Sequence, residues 1–225
     1  LAGATVIVLS RRRNAAQLTK LAKNYKKRLF HYSCDVSKYD EVKVAFKKIK
    51  REVGIIYGLV NNAGVNPSRN SVDKTKKTDL EKTIAVNLAG SFYCSQFAIK
   101  SMLDSEIGGA IIMVSSIAAI NGMEKRASYS VSKAGLVGLT QSIAADYSKN
   151  NIRVFCLCPG YVKTSLTLPY FKSMNDNEYS QLLKKHKLGR FGETADISNI
   201  SLFLLSDSSS WMTGCVIPID GGYSV

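Results

Sequence analysis

Three observations on this chain of 225 residues predict an α/β fold, a doubly wound parallel sheet with helices on both faces. Short apolar, partly β-branched runs alternate with helix-length stretches from end to end. Those runs are apolar on both alternations, as strands buried on two faces require. No repeat, linker or low-complexity tract separates one part from another, so a single domain over 1–225 is expected, large enough to bury a sizeable core.

The elements follow in order. A strand is expected over 4–9 and a polar helical stretch over 14–23, then a strand over 29–32. Tyr39–Glu52 reads as a helix whose apolar Val42, Phe46, Ile49 and Val53 recur at helical spacing. A buried strand follows over 57–60 and a long helix over 78–103. Next come a strand over 110–114, a helix over 128–148 and a strand over 153–157. A looser helical region is expected over 177–185, a helix over 195–205 and a last strand at Cys215–Ile219. The opening Leu1-Ala2-Gly3-Ala4 reads as the end of a helix leading into a strand. A doubly wound sheet opens instead on a strand and a glycine-rich phosphate turn. A preceding unit of roughly 30 residues, the size of a βαβ segment, is therefore expected.

Composition removes several function classes. With 45% hydrophobic and 21% charged residues the chain is neither disordered nor fibrous. Its longest apolar runs, 110–114 and 200–205, are too short to span a bilayer. Lys and Arg outnumber Asp and Glu by 31 to 17, a net charge of +14, which favours acidic partners. No basic run interleaved with aromatics accompanies it, so no nucleic-acid partner is expected. Cys34, Cys94, Cys156, Cys158 and Cys215 are odd in number and contain no CxxC, which reads as reduced thiols in a cytoplasmic protein without a metal site. Cys156 and Cys158 share one face of a strand, where small apolar side chains belong. The two histidines, His31 and His186, lie near no carboxylate or Cys cluster.

The chemistry gathers at strand ends. Tyr129 and Lys133 are i and i+4 on the helix expected over 128–148, so they share a face. An ammonium there stabilises a phenolate and makes the phenol a usable acid or base nearer neutral pH. Ser116 directly follows the strand over 110–114, at the carboxyl end of a parallel strand, where open α/β sheets place ligands. Asn61-Asn62-Ala63-Gly64 and Pro159-Gly160-Tyr161-Val162-Lys163-Thr164 follow two other buried strands. Each alone is an ordinary turn; three such elements at the ends of successive strands point to one ligand site.

In this combination the chain resembles the short-chain dehydrogenase/reductase family. The carriers are NNAG at 61–64, VNLAG with Asn87, Ser115-Ser116, YSVSK at 129–133 and PGYVKT at 159–164, in family order. More narrowly the chain is similar to 3-oxoacyl-carrier-protein reductases and related carbonyl reductases. The resemblance implies a Rossmann-type domain and four catalytic residues. Tyr129 gives a proton to the substrate carbonyl oxygen. Lys133 lowers the tyrosine pKa and binds the nicotinamide ribose. Ser116 holds the carbonyl oxygen, and Asn87 anchors a water in a proton relay.

The cofactor end is argued from Leu9-Ser10-Arg11-Arg12-Arg13, where no acid is present to hold a ribose 2′-hydroxyl. A hydroxyl and guanidinium suit a 2′-phosphate, so NADP(H) is expected through Ser10 and Arg11. The resemblance adds Asp35 and Val36 at the adenine. It also adds Asn61, Ala63 and Gly64 at the adenosine ribose, and Pro159, Gly160, Val162 and Thr164 at the carboxamide.

The expected function is NADPH-dependent reduction of a ketone, foremost a 3-oxoacyl thioester on an acyl carrier. Lys125-Arg126, beside Tyr129, is placed to meet a carrier phosphate. The alternatives are a reductase or dehydrogenase of small carbonyls, quinones or sugar-type alcohols, and an inactive nucleotide-binding protein. The segment 167–185 resembles the family's substrate lid. The family also implies a homotetramer joined through the Asn87 and Tyr129 helices and through the tail 215–225.

Overall fold

The computed structural model describes residues 3–11 and 28–225; the helix expected over 14–23, with Arg12 and Arg13, lies outside the described residues. Strands β1 (Val6–Ser10) and β2 (Leu29–Ser33) precede helix α1 (Tyr39–Glu52) and strand β3 (Gly58–Asn61). Helices α2 (Lys77–Thr83) and α3 (Gly90–Ser105) flank a π-helical turn, Ile84–Ala89. Strand β4 (Gly109–Val114), helix α4 (Ala127–Tyr147) and strand β5 (Ile152–Pro159) follow. Helices α5 (Leu168–Lys172), α6 (Asp176–Lys184) and α7 (Thr194–Leu205) and strand β6 (Cys215–Ile219) complete the chain.

Every strand pair is parallel, as strands separated by helices demand. The described residues form two ladders rather than one continuous sheet: β1 with β2, and β3-β4-β5-β6. The central pair is the most deeply buried, with Ala110 to Met113 and Val154 to Cys158 fully inaccessible. Period-two alternation divides these side chains between the two faces. Ile111, Met113, Val154, Cys156 and Cys158 pack with α1, α3 and α4, whereas Ala110, Ile112, Phe155 and Leu157 pack under Leu204 of α7. The apolar character of both alternations thus has its explanation: helices cover each face. The two cysteines of β5 share a face, as expected, and all five cysteines are free.

Two elements depart from the sequence reading. The single helix expected over 78–103 is broken by the π-helical turn. Such a turn inserts one residue and re-aims a side chain, and the one it delivers to the interior is Asn87, which is fully buried. Helix α5 was not expected. Its five residues are too few to show periodicity, and Pro169 in the first turn supplies the backbone angle that starts it.

Glycine sets how closely α4 approaches the π turn. A Cβ on Gly135 would stand 2.7 Å from the Leu88 side chain, which would have to shift to admit it. That approach brings the Ser132–Lys133 turn of α4 against Asn87.

Candidate active site

The residues singled out from the sequence lie at the carboxyl ends of five parallel strands. Ser10 and Arg11 end β1, Asp35 and Val36 follow β2, and Asn61 to Gly64 follow β3. Ser116 follows β4, and Pro159 to Thr164 close β5. Parallel strands deliver their following loops to one edge of each ladder, which is why segments far apart in sequence are brought together at strand ends.

The buried floor of the site is a connected set of hydrogen bonds. The Asn87 amide nitrogen donates to the Val65 carbonyl and to Ser132 Oγ, both at 3.0 Å. Its oxygen accepts from the Val65 N–H at 2.8 Å. Ser132 Oγ donates onward to the Tyr129 carbonyl at 2.7 Å. Ser115 is buried and donates to the Lys133 carbonyl at 2.8 Å, tying β4 to α4. Lys133, 4% exposed, donates from Nζ to the Val114 carbonyl at 2.7 Å. With no carboxylate to offset it, burial pulls the lysine pKa down to about 8.

Tyr129 and Ser116 both line a cavity of about 370 Å³. Ser116 is in extended backbone and its Oγ accepts from the Ala118 N–H at 3.1 Å, fixing the hydroxyl at the turn. The two serines after β4 therefore differ in kind: Ser115 is spent on α4, and Ser116 faces the cavity beside the phenol. Burial raises the Tyr129 pKa, while interaction with the Ser116 hydroxyl and the Arg126 charge pull it partway back. The sequence expectation gave that lowering to Lys133. In this geometry Lys133 Nζ is engaged by Val114 and lies 5.7 Å from the Tyr129 ring centre, so desolvation of the phenol prevails.

The remaining expected residues divide by what their side chains already do. Asn61 is buried and donates to Ser95 Oγ at 2.9 Å and toward Met113 Sδ at 3.2 Å, so its amide holds β3 to its neighbours. Ala63 and Gly64 are exposed at the strand end. Val36 packs on Gly90, where an added Cβ would stand 2.9 Å from its methyl group. Asp35 accepts from the Ser37 N–H at 3.0 Å and hydroxyl at 2.7 Å. Burial raises its pKa, and the Ser37 bonds with the Arg11 and Lys38 charges outweigh that and leave it lowered. Ser10 Oγ meets His31 Nε2 at 2.8 Å, and Arg11 is exposed beside it. Pro159 ends β5, and Gly160 N–H donates to the Ile219 carbonyl at 3.0 Å. A Cβ at Gly160 would stand 2.9 Å from Asp220, so glycine is required at this turn. Val162 is buried and bridges to Gly192, and Thr164 shares a hydroxyl contact of 3.1 Å with Thr167.

A nicotinamide nucleotide fits this donor set. A lysine ammonium carries three N–H donors. Val114 takes one from Lys133, which leaves two for ribose hydroxyls. A Cβ on Gly64 would stand 3.5 Å from Lys133 Nζ and 3.7 Å from Asn87 Oδ1, so the bare strand end lies over both side chains. Ser10 and exposed Arg11, with the Arg11 charge felt at Asp35, present a hydroxyl and a guanidinium at the other end.

Sequence reasoning missed the mouth of the cavity. Arg69, Tyr161 and Tyr170 line it with Arg126, and the Arg69 guanidinium sits 3.6 Å from the Tyr170 ring centre. Tyr161 lay within a quoted motif and gave no further signal. Arg69 lies in an irregular loop, where no periodicity marks a side chain. Among the described residues no group of three or more His, Cys, Asp or Glu is arranged to hold a metal, and no helix is long and apolar enough to cross a membrane.

The comparisons with known proteins agree with this geometry. A family model described as Enoyl-(Acyl carrier protein) reductase matches residues 1–224. Carbonyl reductase family member 4 of Xenopus laevis is 37% identical over 191 residues, covering 84% of this chain and 76% of that protein. The 3-oxoacyl-acyl-carrier-protein reductase of Thermotoga maritima is 35% identical over 221 residues, covering 98% and 87%. Among solved structures, a gluconate 5-dehydrogenase from Burkholderia cenocepacia, in complex with NADP and tartrate, superposes with a TM-score of 0.91 at 28% identity, covering 99% and 86%. Levodione reductase superposes at 0.93 with 25% identity, covering 99% and 89%. An α/β sheet with its loops gathered at one edge, a tyrosine and lysine one helical turn apart and this similarity along the whole chain lead to one conclusion: the chain belongs to the short-chain dehydrogenase/reductase family of oxidoreductases.

Proposed function

We propose that this oxidoreductase reduces a ketone to an alcohol with NADP(H), the foremost substrate class being a 3-oxoacyl thioester. The observation that carries the reading is Tyr129 in contact with Ser116 where both line the cavity. A phenol is protonated at neutral pH, and its O–H beside the Ser116 hydroxyl can donate to a carbonyl oxygen placed between them. Two hydroxyls converging on one point suit a carbonyl oxygen gaining negative charge. The bound nicotinamide supplies the hydride. Ser116 then orients the carbonyl oxygen, Tyr129 releases its proton to that oxygen, and Lys133 holds the ribose that sets the geometry. Asn87 fixes the Val65 loop and the Ser132 turn, and relays the proton through a water near Lys133.

NADP(H) is supported by Ser10 and Arg11 and by the NADP bound to the Burkholderia enzyme. The remaining cofactor contacts are assigned to Asp35, Val36, Asn61, Ala63, Gly64, Pro159, Gly160, Val162 and Thr164. The thioester substrate is supported by the name of the Thermotoga relative. A second reading, a small carbonyl or sugar-type alcohol, is favoured by the names of the Xenopus carbonyl reductase and the gluconate dehydrogenase. The segment 167–185, which brings Thr167, Pro169, Tyr170 and Ser173 to the cavity, acts as the substrate lid. Exposed Phe92 on α3 and Val131 on α4 support a homotetramer joined through those helices, and the free cysteines support a cytoplasmic setting.

The test follows oxidation of NADPH and NADH with acetoacetyl thioesters. Turnover with NADPH is expected, and Tyr129→Phe is expected to lower kcat by about 10³-fold, within the span of general acid catalysis. Undiminished turnover in that variant removes Tyr129 from the mechanism.

A further inference from the structure

Four aspects of the cavity mouth are unexplained by the reduction chemistry. Two guanidinium groups address one aromatic ring, Arg69 at 3.6 Å and Arg126 at 5.6 Å from the Tyr170 centre. Among the described residues that line the cavity, none is Asp or Glu. Every ion pair among the described residues lies elsewhere, so neither arginine has a described carboxylate within 4.0 Å. The groups that do touch Arg126 are neutral: Tyr161, Tyr170 and the Asn66 amide oxygen in the orientation that satisfies both its ends.

We propose that this pair holds an oxyanion group of the substrate, a carboxylate or a phosphate, while the substrate carbonyl lies at Ser116 and Tyr129. The inference rests on the reductase reading and deepens it by naming a substrate class. Like charges brought together in a partly desolvated recess cost free energy, which the contacts of Arg126 with Tyr161 and Tyr170 offset only in part. Consistent with that cost, burial and the neighbouring Arg69 charge lower the Arg126 pKa. An anion would relieve both.

A solvated basic surface is the plain alternative in a chain of net charge +14. It accounts for Arg69, which is exposed, but not for Arg126, which is partly buried and lines the cavity. Each guanidinium carries five donors in a planar fork suited to carboxylate or phosphate. Arg126 stands just before α4 and three residues from Tyr129, a separation of about one helical turn or roughly 5 Å. A short oxo acid spans that reach, and so does the start of a carrier arm.

The experiment compares two matched substrate pairs in the purified protein and in Arg126→Gln and Arg69→Gln. Acetoacetate against acetoacetamide reads a carboxylate. Acetoacetyl-coenzyme A against the acetoacetyl thioester of N-acetylcysteamine reads a phosphate. The expected result is a preference for the anionic member of one pair in kcat/KM. Each substitution should shrink that preference at least tenfold, with Arg126→Lys restoring part of it. Which pair responds identifies the anion. Arg69 lies in an exposed loop, so its variant stays informative if Arg126→Gln does not fold. Calorimetric titration with malonate and with inorganic phosphate gives a readout independent of turnover. Binding that both glutamine variants weaken supports the proposal. Unchanged ratios together with unchanged binding overturn it. If no ketone is reduced, the reductase reading fails, and the titration alone decides whether the arginines hold an anion.

Discussion

At the floor of the site, Asn87, Ser115, Ser132 and Lys133 are buried and give their polar atoms to backbone carbonyls and to one another. At the mouth, Arg69, Arg126, Tyr161 and Tyr170 meet through rings and charge, with no carboxylate among them. Apart from the two Lys133 N–H groups left for a ribose, the floor is saturated; the mouth is not. A saturated network keeps catalytic groups in place, because moving any member exposes a buried donor or acceptor. An unsaturated one retains the donors a ligand needs. The two regions share one boundary, the start of α4, where Arg126 lies three residues before Tyr129.

The comparison breaks first at Lys133. Its pKa is about 8 in the fold against an ordinary value of 10.5. Between those values the unfolded chain binds more protons than the folded one, so this residue makes stability rise as pH rises through the window. Urea denaturation of wild type and Lys133→Met is expected to show the wild type gaining on the order of 3 kcal/mol relative to the variant from about pH 8 to pH 10.5. A difference that stays flat with pH means the buried ammonium is better compensated than its single bond to Val114 indicates.

The two adjacent serines sharpen the contrast next. Ser116→Ala is expected to lower kcat by about 10²-fold, the effect of losing one donor at a developing oxyanion. Ser115→Ala leaves chemistry nearly intact and costs about 1 kcal/mol, the ordinary worth of its bond to Lys133. Steady-state rates and thermal melts of both proteins separate the two roles, and interchanged results would reverse the assignment of floor and mouth at β4.

Asn87→Ala is the subtlest. It strands the N–H and carbonyl of Val65, which should cost roughly 2 kcal/mol in denaturant titration. Because Val65 follows the Gly64 strand end, weaker NADPH binding should accompany the loss, measured by fluorescence titration. A stability loss with cofactor affinity unchanged would confine Asn87 to the floor.

Much of this was legible because it repeats. The parallel strands announced themselves as apolar runs buried on two faces, and Tyr129 with Lys133 by a spacing that places both on one side of a helix. Other features leave no periodic trace. The π turn at 84–89 looks like continuous helix, since one inserted residue does not disturb an apolar pattern enough to be seen. Asn61 reads as a ligand contact from its motif, and only the fold shows that Ser95 and Met113 take its side-chain N–H groups. Arg69 was invisible because only the fold carries its loop to Tyr170.

By itself, the sequence determined the α/β class, the order of its elements and which residue types stand at the strand ends, because periodicity and turn chemistry are local. Tertiary structure alone decided which polar groups are already spent. Hydrogen bonding and desolvation depend on neighbours that are distant in sequence. Thus Ser115 became a strut while Ser116 lines the cavity, burial holds the Tyr129 phenol further from ionisation, and two arginines from separate loops meet over one ring with no described carboxylate beside them.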